Sequence, residues 1–473
     1  MSAVAGTLSS WRAAWDRQRS LLAAVLCLGA ACGLLGARAW WLSLGLLAGL
    51  VGVSALCRSS WRCWIPLMVL CAFTHWPPRV VAVPLFWALL FGWMAVAWVE
   101  RSLAMAPVYW ADARIWNRAA VWLAWGAVGV CLAAQPIEGV KELARYALSF
   151  VVLWTYLQWL RTPAAVRQAA WWCVLLAVVA AVSSLVEQGL AGGDAAAALS
   201  GPRMMAEAER SILLATTIPL GASLVLHGVW RKRWWWIVAA WCVALAQTTS
   251  RASLLGAGVG VLAVWWMARP AARRHLVLLV LVAVAALGAW LQLHYGDCWL
   301  GVRHNLSGRD LLWQAALRAI REHSWFGVGA GGWSAWLSSH YVSLDFLVSD
   351  LKGNTYVLSP QLLNGEAHNL WFTKAAEMGV LSLVPLASLC IVWGQAARQA
   401  LQRLEQAGWA RAVAVGCVAS IIGLLARTLF ENGPIIGRGR GFELTLVWLI
   451  MALPLAMGRL ASSGVSSSEA WDA

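Results

Sequence analysis

The chain has 473 residues, of which 61% are hydrophobic and only 12% charged, and it carries a net charge of +15. Soluble domains are about half apolar and a quarter charged, so this chain has too little polar surface for a water-soluble globule. The basic balance, which in a soluble protein would point to nucleic acid, follows here from membrane topology, and nucleic-acid binding is not expected.

In chain order, residues 1–19 hold Arg12, Arg17 and Arg19 and form a cytoplasmic N-terminus. The block Leu21–Leu35 has the look of a signal peptide, but a second block, Trp41–Leu56, follows at once, and both are read as retained spans. Apolar runs predict spans near 20–36, 39–57, 61–75, 79–100, 117–134, 140–161, 165–187, 209–229, 233–248, 252–268 and 274–295. A large polar loop, 296–368, interrupts them. Three more spans, near 369–396, 408–428 and 436–457, complete a second transmembrane unit (369–457), and 458–473 is a Ser-rich cytoplasmic tail. The runs are continuous, as in Trp171–Val186 and Leu276–Leu293, unlike the alternating segments of a β-barrel. In lipid they must be helical, because a helix satisfies its own backbone. The predicted fold is therefore an all-α polytopic membrane protein of about 12 to 14 transmembrane helices, with one large periplasmic loop that contains helices.

Orientation follows from alternate connections rich in Arg and Lys: Arg58/Arg62, Arg101/Arg114/Arg118, Arg161/Arg167, Arg231-Lys232-Arg233, Arg269/Arg273/Arg274 and Arg398/Arg403/Arg411. These lie in the cytoplasm, which places 188–208, the turn at 249–251, the loop 296–368 and 429–440 outside. Tryptophan, 36 residues, gathers at span ends such as Trp40-Trp41 and Trp234–Trp236, as interfacial anchors do. The eleven Cys form no CxxC pair or Cys/His cluster and read as small buried hydrophobes. Within the loop, Ser307 can cap a helix over Gly308–His323, with Leu311, Leu312, Ala315, Ala316, Ala319 and Ile320 on one side. Gly327–Gly332 fits G-x-G-x-x-G but lacks the strand and helix of a dinucleotide site, and is read as a flexible turn.

Charged residues focused on one membrane face are candidates for function. The outward cations are Arg203, Arg210, Arg251 and Arg309, with Lys141 and Arg145 at the start of another span. The guanidinium fork suits phosphate oxygens and keeps its charge, so converging arginines fit a diphosphate. His368, in Glu366-Ala367-His368-Asn369 where the loop meets the next span, can take a proton from a hydroxyl nucleophile, with Asn369 or Glu366 to orient it. No Asp-rich or His-rich metal motif is present, and neither a metal nor another cofactor is expected.

The segments "SGRDLLWQAALRAIREHSWFGVGAGGW" and "GEAHNLWFTKAAEMGVLSLVPL" resemble those that open and close the large loop of O-antigen ligases and polymerases, and "TTSRASLLG" resembles their earlier Ser-Arg turn. The resemblance covers roughly 200–400 and implies a C-type-like glycosyltransferase in the bacterial inner membrane, acting at the periplasmic face in lipopolysaccharide biosynthesis. It would move O-antigen from undecaprenyl diphosphate to lipid A–core without a metal. It also implies that His368 is the essential histidine and that Arg309 and Arg251 are the essential arginines; Arg203 and Arg210 match less well. O-antigen polymerase and protein O-oligosaccharyltransferase are the alternatives within the group. A lipid-linked sugar transporter is a more distant one, since no inverted repeat is visible.

Overall fold

The computed structural model describes residues 90–95, 97–98, 101, 112–133, 135–190, 207–248, 250–268, 309–340, 346–349, 355–358, 367–404, 408–431 and 441–463. The spans expected before residue 90 and at 274–295 lie outside the described residues.

Local signals set the helix ends. Asp112 caps α1 (Ala113–Cys131) by accepting from the Arg114 backbone N–H, as short acidic side chains do at an N-cap. Pro136 opens α2 (Pro136–Trp159), at the one helical turn where a missing N–H costs nothing. There follow α3 (Pro163–Leu190), α4 (Glu207–Leu226), a 3-10 turn at Lys232–Trp234, α5 (Trp235–Gln247) and α6 (Arg251–Ala268). The loop supplies α7 (Arg309–Glu322), α8 (Trp333–His340) and an antiparallel hairpin of β1 (Phe346–Ser349) and β2 (Thr355–Leu358), with Phe346 opposite Leu358. The chain then returns through α9 (Leu370–Met378), α10 (Leu383–Arg403), α11 (Gly408–Arg427) and α12 (Gly441–Ser462).

Among the described residues six helices are long and apolar enough to cross a membrane: Pro163–Val182, Glu209–Leu226, Arg251–Ala268, Val380–Arg403, Gly408–Arg427 and Thr445–Ser462. The protein is an all-α multi-pass membrane protein carrying one small β-ribbon. The core is the trio α4, α6 and α11, whose mutual contacts are the densest in the fold. Of the crossing segments, the one in α4 is 94% buried whereas those in α6 and α10 are 33% buried, so α4 is central and the other two leave much of their surface exposed. Helices associate in a bilayer through close packing and interhelical hydrogen bonds rather than a hydrophobic drive. Both occur here. A Cβ on Gly256 would lie 2.9 Å from the Gly423 carbonyl oxygen, and the Ser420 hydroxyl donates to the Thr216 carbonyl.

The bundle has two chemically distinct ends. At one, Arg459 of α12 donates to the Leu157 and Leu160 carbonyls at the C-terminus of α2, at 3.1 and 2.5 Å. Arg161, Arg231, Lys232, Arg403 and Arg411 flank helix termini at the same end. The other end gathers the N-termini of α2, α4, α6 and α9, the C-terminus of α11 and the loop helices.

Two expectations are corrected. The span expected over 369–396 is broken at Gly379 (φ +79), which separates the nine-residue α9 from α10. A Cβ on Gly379 would collide with the Trp325 carbonyl, so the break is where the Trp325 backbone presses against the helix. The turn at Gly327–Gly332 is packed, not loose: Gly327, Gly329 and Gly331 all have positive φ, and the Val328 N–H donates to the Ala376 carbonyl of α9 at 2.8 Å. The loop holds helices, as expected, and the β-ribbon is additional to them.

Candidate active site

The loop helix α7 lies on α9, as its apolar stripe requires. Leu312, Ala315, Ala316 and Ala319 are buried against Trp333, Trp336, Leu337, Ala367 and Ala376. This packing sets α7 and α8 against α9, at whose start His368 sits.

His368 has φ +48, the single positive φ among described non-glycine residues. Such backbone is sparsely populated and persists where surrounding contacts hold it. The contacts are visible in the next three residues. The Asn369 Oδ1 accepts from the Phe372 N–H at 3.0 Å and so caps α9, while its Nδ2 donates to the Leu429 carbonyl at 2.8 Å. The Leu370 N–H donates to the Thr428 carbonyl at 3.1 Å and the Trp371 Nε1 to the Thr428 hydroxyl at 3.2 Å. The start of α9 is thus bound to the end of α11.

That junction presents Glu431 to the histidine. His368 Nδ1 lies 3.1 Å from Glu431 Oε2, with side chains 32% and 21% exposed. Against an ionised carboxylate, which can only accept, a neutral imidazole carries its hydrogen on Nδ1 and offers the lone pair of Nε2. The side chain paired with the imidazole is therefore that of Glu431. Asn369, expected either to orient the imidazole or to bind substrate, spends its amide on the cap and on Leu429; Glu366 lies outside the described residues. Trp313 of α7 meets Phe372 and Phe430, ring centroids 5.9 and 6.3 Å apart, which shields the same corner.

A second group of residues adjoins this pair. Arg427, at the end of α11, is buried and donates from Nε to the Ser253 hydroxyl at 3.0 Å. Ser253 donates to Ser211 at 3.1 Å and accepts from Ser250 at 2.9 Å. Ser211 follows the buried Arg210 on α4, and Ser250 precedes Arg251, the exposed first residue of α6. Three cations therefore sit on three neighbouring helix ends tied by one serine chain. The N-termini of α4 and α6 add their own partial positive charge. The Glu431 N–H donates to the Arg427 carbonyl at 3.0 Å, so Arg427 and the His368–Glu431 pair are one helical turn apart.

The remaining expected residues fall as follows. Arg309 opens α7 directly above this corner, and its side chain is outside the described residues. Arg203 is also outside them. Lys141 and Arg145 are on the N-terminal half of α2, paired with Glu138 at 2.6 Å and Glu142 at 2.8 Å. Among the described residues no group of three His, Cys, Asp or Glu is placed to hold a metal.

Arg427 and Glu431 were not singled out from the sequence as site residues. The available signal was charge at the outer limit of an otherwise apolar span, spaced i,i+4 on one helical face.

The described residues thus form a multi-pass helical bundle with a polar cluster at one end, covered by the loop helix α7. Residues 236–387 match the family model described as O-antigen ligase. This segment of the chain is similar to that family, whose members are glycan-transfer enzymes. The match takes in Arg251, Arg309 and His368 and ends before Arg427 and Glu431. No curated protein matches the chain.

Proposed function

We propose that the protein is an O-antigen ligase, transferring O-antigen polysaccharide from undecaprenyl diphosphate to lipid A–core at the periplasmic face of the bacterial inner membrane. The observation that carries this reading is the His368–Glu431 hydrogen bond, set one turn from the Arg427 serine chain and between the helix ends that bear Arg210 and Arg251.

In this mechanism His368 Nε2 removes the proton from an acceptor sugar hydroxyl as that oxygen attacks the anomeric carbon. The bond from that carbon to the diphosphate oxygen breaks, and its electron pair leaves with the diphosphate. Positive charge formed on His368 faces the Glu431 carboxylate, and negative charge developing on the leaving group faces arginines. Preorganised charge of this kind supplies the greater part of the rate enhancement in many enzymes, and a diphosphate so neutralised leaves without a bound cation. Attack opposite the leaving group inverts the anomeric carbon. Arg309 and Arg251 are assigned to the diphosphate, with Arg210 and Arg203 beside them; Lys141 and Arg145 lie further out, toward the glycan. Both substrates are lipid-anchored and reach the site laterally through the surrounding membrane lipids.

The test is transfer by the purified full-length protein in lipid, given carrier-linked glycan and lipid A–core, with and without chelator. Glycosylated lipid A–core formed in both conditions is the expected product. Lengthened carrier-linked glycan instead makes the protein a polymerase, and glycosylated protein an oligosaccharyltransferase. Transport of intact carrier-linked glycan with no transfer removes the enzyme reading.

A further inference from the structure

The nine-residue α9 carries a buried charge pair that the proposed chemistry leaves unused. Lys374 and Glu377 have side chains only 3% and 2% exposed, with Nζ to Oε2 at 3.0 Å. Tyr146 of α2 closes the group. Its hydroxyl accepts from Lys374 Nζ and lies 3.5 Å from Glu377 Oε2, and the ammonium is 4.4 Å from the centroid of its ring.

Such a group is not explained by stability. Withdrawing two charges from water costs about as much as their attraction returns, and well-packed apolar side chains often serve as well or better. What a hydrogen-bonded pair adds is direction. Apolar contacts are non-directional, and a short helix resting on them alone can roll about its axis. The other ends of α9 are fixed to different partners: its start to α11 through Asn369, Leu370 and Trp371, and its end to α1 through the Trp125 Nε1, which donates to the Met378 carbonyl at 2.8 Å. Lys374, Glu377 and Tyr146 supply the tie to α2. Lys374 is six positions beyond His368, on the same rigid segment.

We propose that Lys374, Glu377 and Tyr146 are positioning residues for glycan transfer: a buried polar lock that sets the rotation of α9 and with it the His368 imidazole against Glu431. The inference rests on the reading of His368 as the base.

The experiment compares five forms of the full-length protein in lipid: wild type, Lys374→Met/Glu377→Met, Lys374→Glu/Glu377→Lys, Tyr146→Phe and His368→Ala. Each is measured for thermal stability, kcat, and KM of donor and acceptor. The double variant is expected to melt at or above the wild-type temperature, because both charges leave together. Its kcat is expected to fall about 10- to 100-fold at unchanged KM, as misplacement of a catalytic group by an ångström can do. Tyr146→Phe, which removes only the hydroxyl, is expected to lower kcat severalfold at an unchanged melting temperature. The charge-swapped pair Lys374→Glu/Glu377→Lys is expected to recover part of the lost kcat. Wild-type kcat in the double variant or in Tyr146→Phe overturns the proposal, as does a loss of activity that merely follows loss of folded protein. If His368→Ala remains fully active, the base reading has failed; if it is inactive while the lock variants are not, only the positioning inference has failed.

Discussion

At the residue scale, the pairing of His368 with Glu431 makes a sharp distinction between two changes. Glu431→Ala removes the group that fixes the imidazole and faces its positive charge, and kcat should drop by about 100-fold or more with acceptor KM little changed, read in the transfer assay. Asn369→Ala acts otherwise. It deletes an N-cap worth about 1 kcal/mol and the tie to Leu429, so a thermal melt should show lost stability together with lost activity. Sequence adjacency favoured Asn369 and Glu366 as partners of the histidine. The partner found is 63 residues away, brought in by the return of α11 beside the start of α9, and no local pattern encodes that meeting. His368 itself is singled out by the sequence, as a titratable residue at the junction of a polar loop and an apolar run.

At the element scale, the helices from α1 onward were legible because apolar runs of bilayer length have one solution in lipid. Their ends agree with the expected spans to within a few residues for α2, α6 and α11. The break between α9 and α10 was not legible. Met378-Gly379-Val380 is an unremarkable stretch of an apolar run, and only the Trp325 carbonyl pressed against Gly379 reveals why the helix cannot continue. Gly379→Ala should therefore be severely destabilising, by roughly 3 kcal/mol or more, since it adds both a strained φ and a backbone collision. A detergent-solubilised melt measures it; a change below about 1 kcal/mol would mean that the turn can open at little cost. The hairpin was missed for a different reason: four-residue strands in a polar segment carry too few alternations to register against the surrounding loop.

At the scale of the whole molecule, function and orientation meet in the contrast between the two ends of the bundle. One end gathers arginines that cap helix C-termini, such as Arg459 on α2. The opposite end holds the His368–Glu431 pair, the serine-linked Arg427 and the loop helix α7. If this polarity follows the positive-inside rule, a cysteine at exposed Ser324, beside the loop helix α7, reacts with a membrane-impermeant maleimide added outside spheroplasts. One at exposed Lys232 reacts only after permeabilisation. The opposite labelling would put the site in the cytoplasm and exclude a periplasmic ligase. The central claim, however, is that His368 and Glu431 act as one catalytic unit in glycan transfer. A double-mutant cycle on kcat tests it most directly. Residues acting as a unit are grossly non-additive, so His368→Ala and His368→Ala/Glu431→Ala should transfer glycan at the same residual rate. If the two losses multiply instead, Glu431 works independently of His368 and the account of the site is wrong.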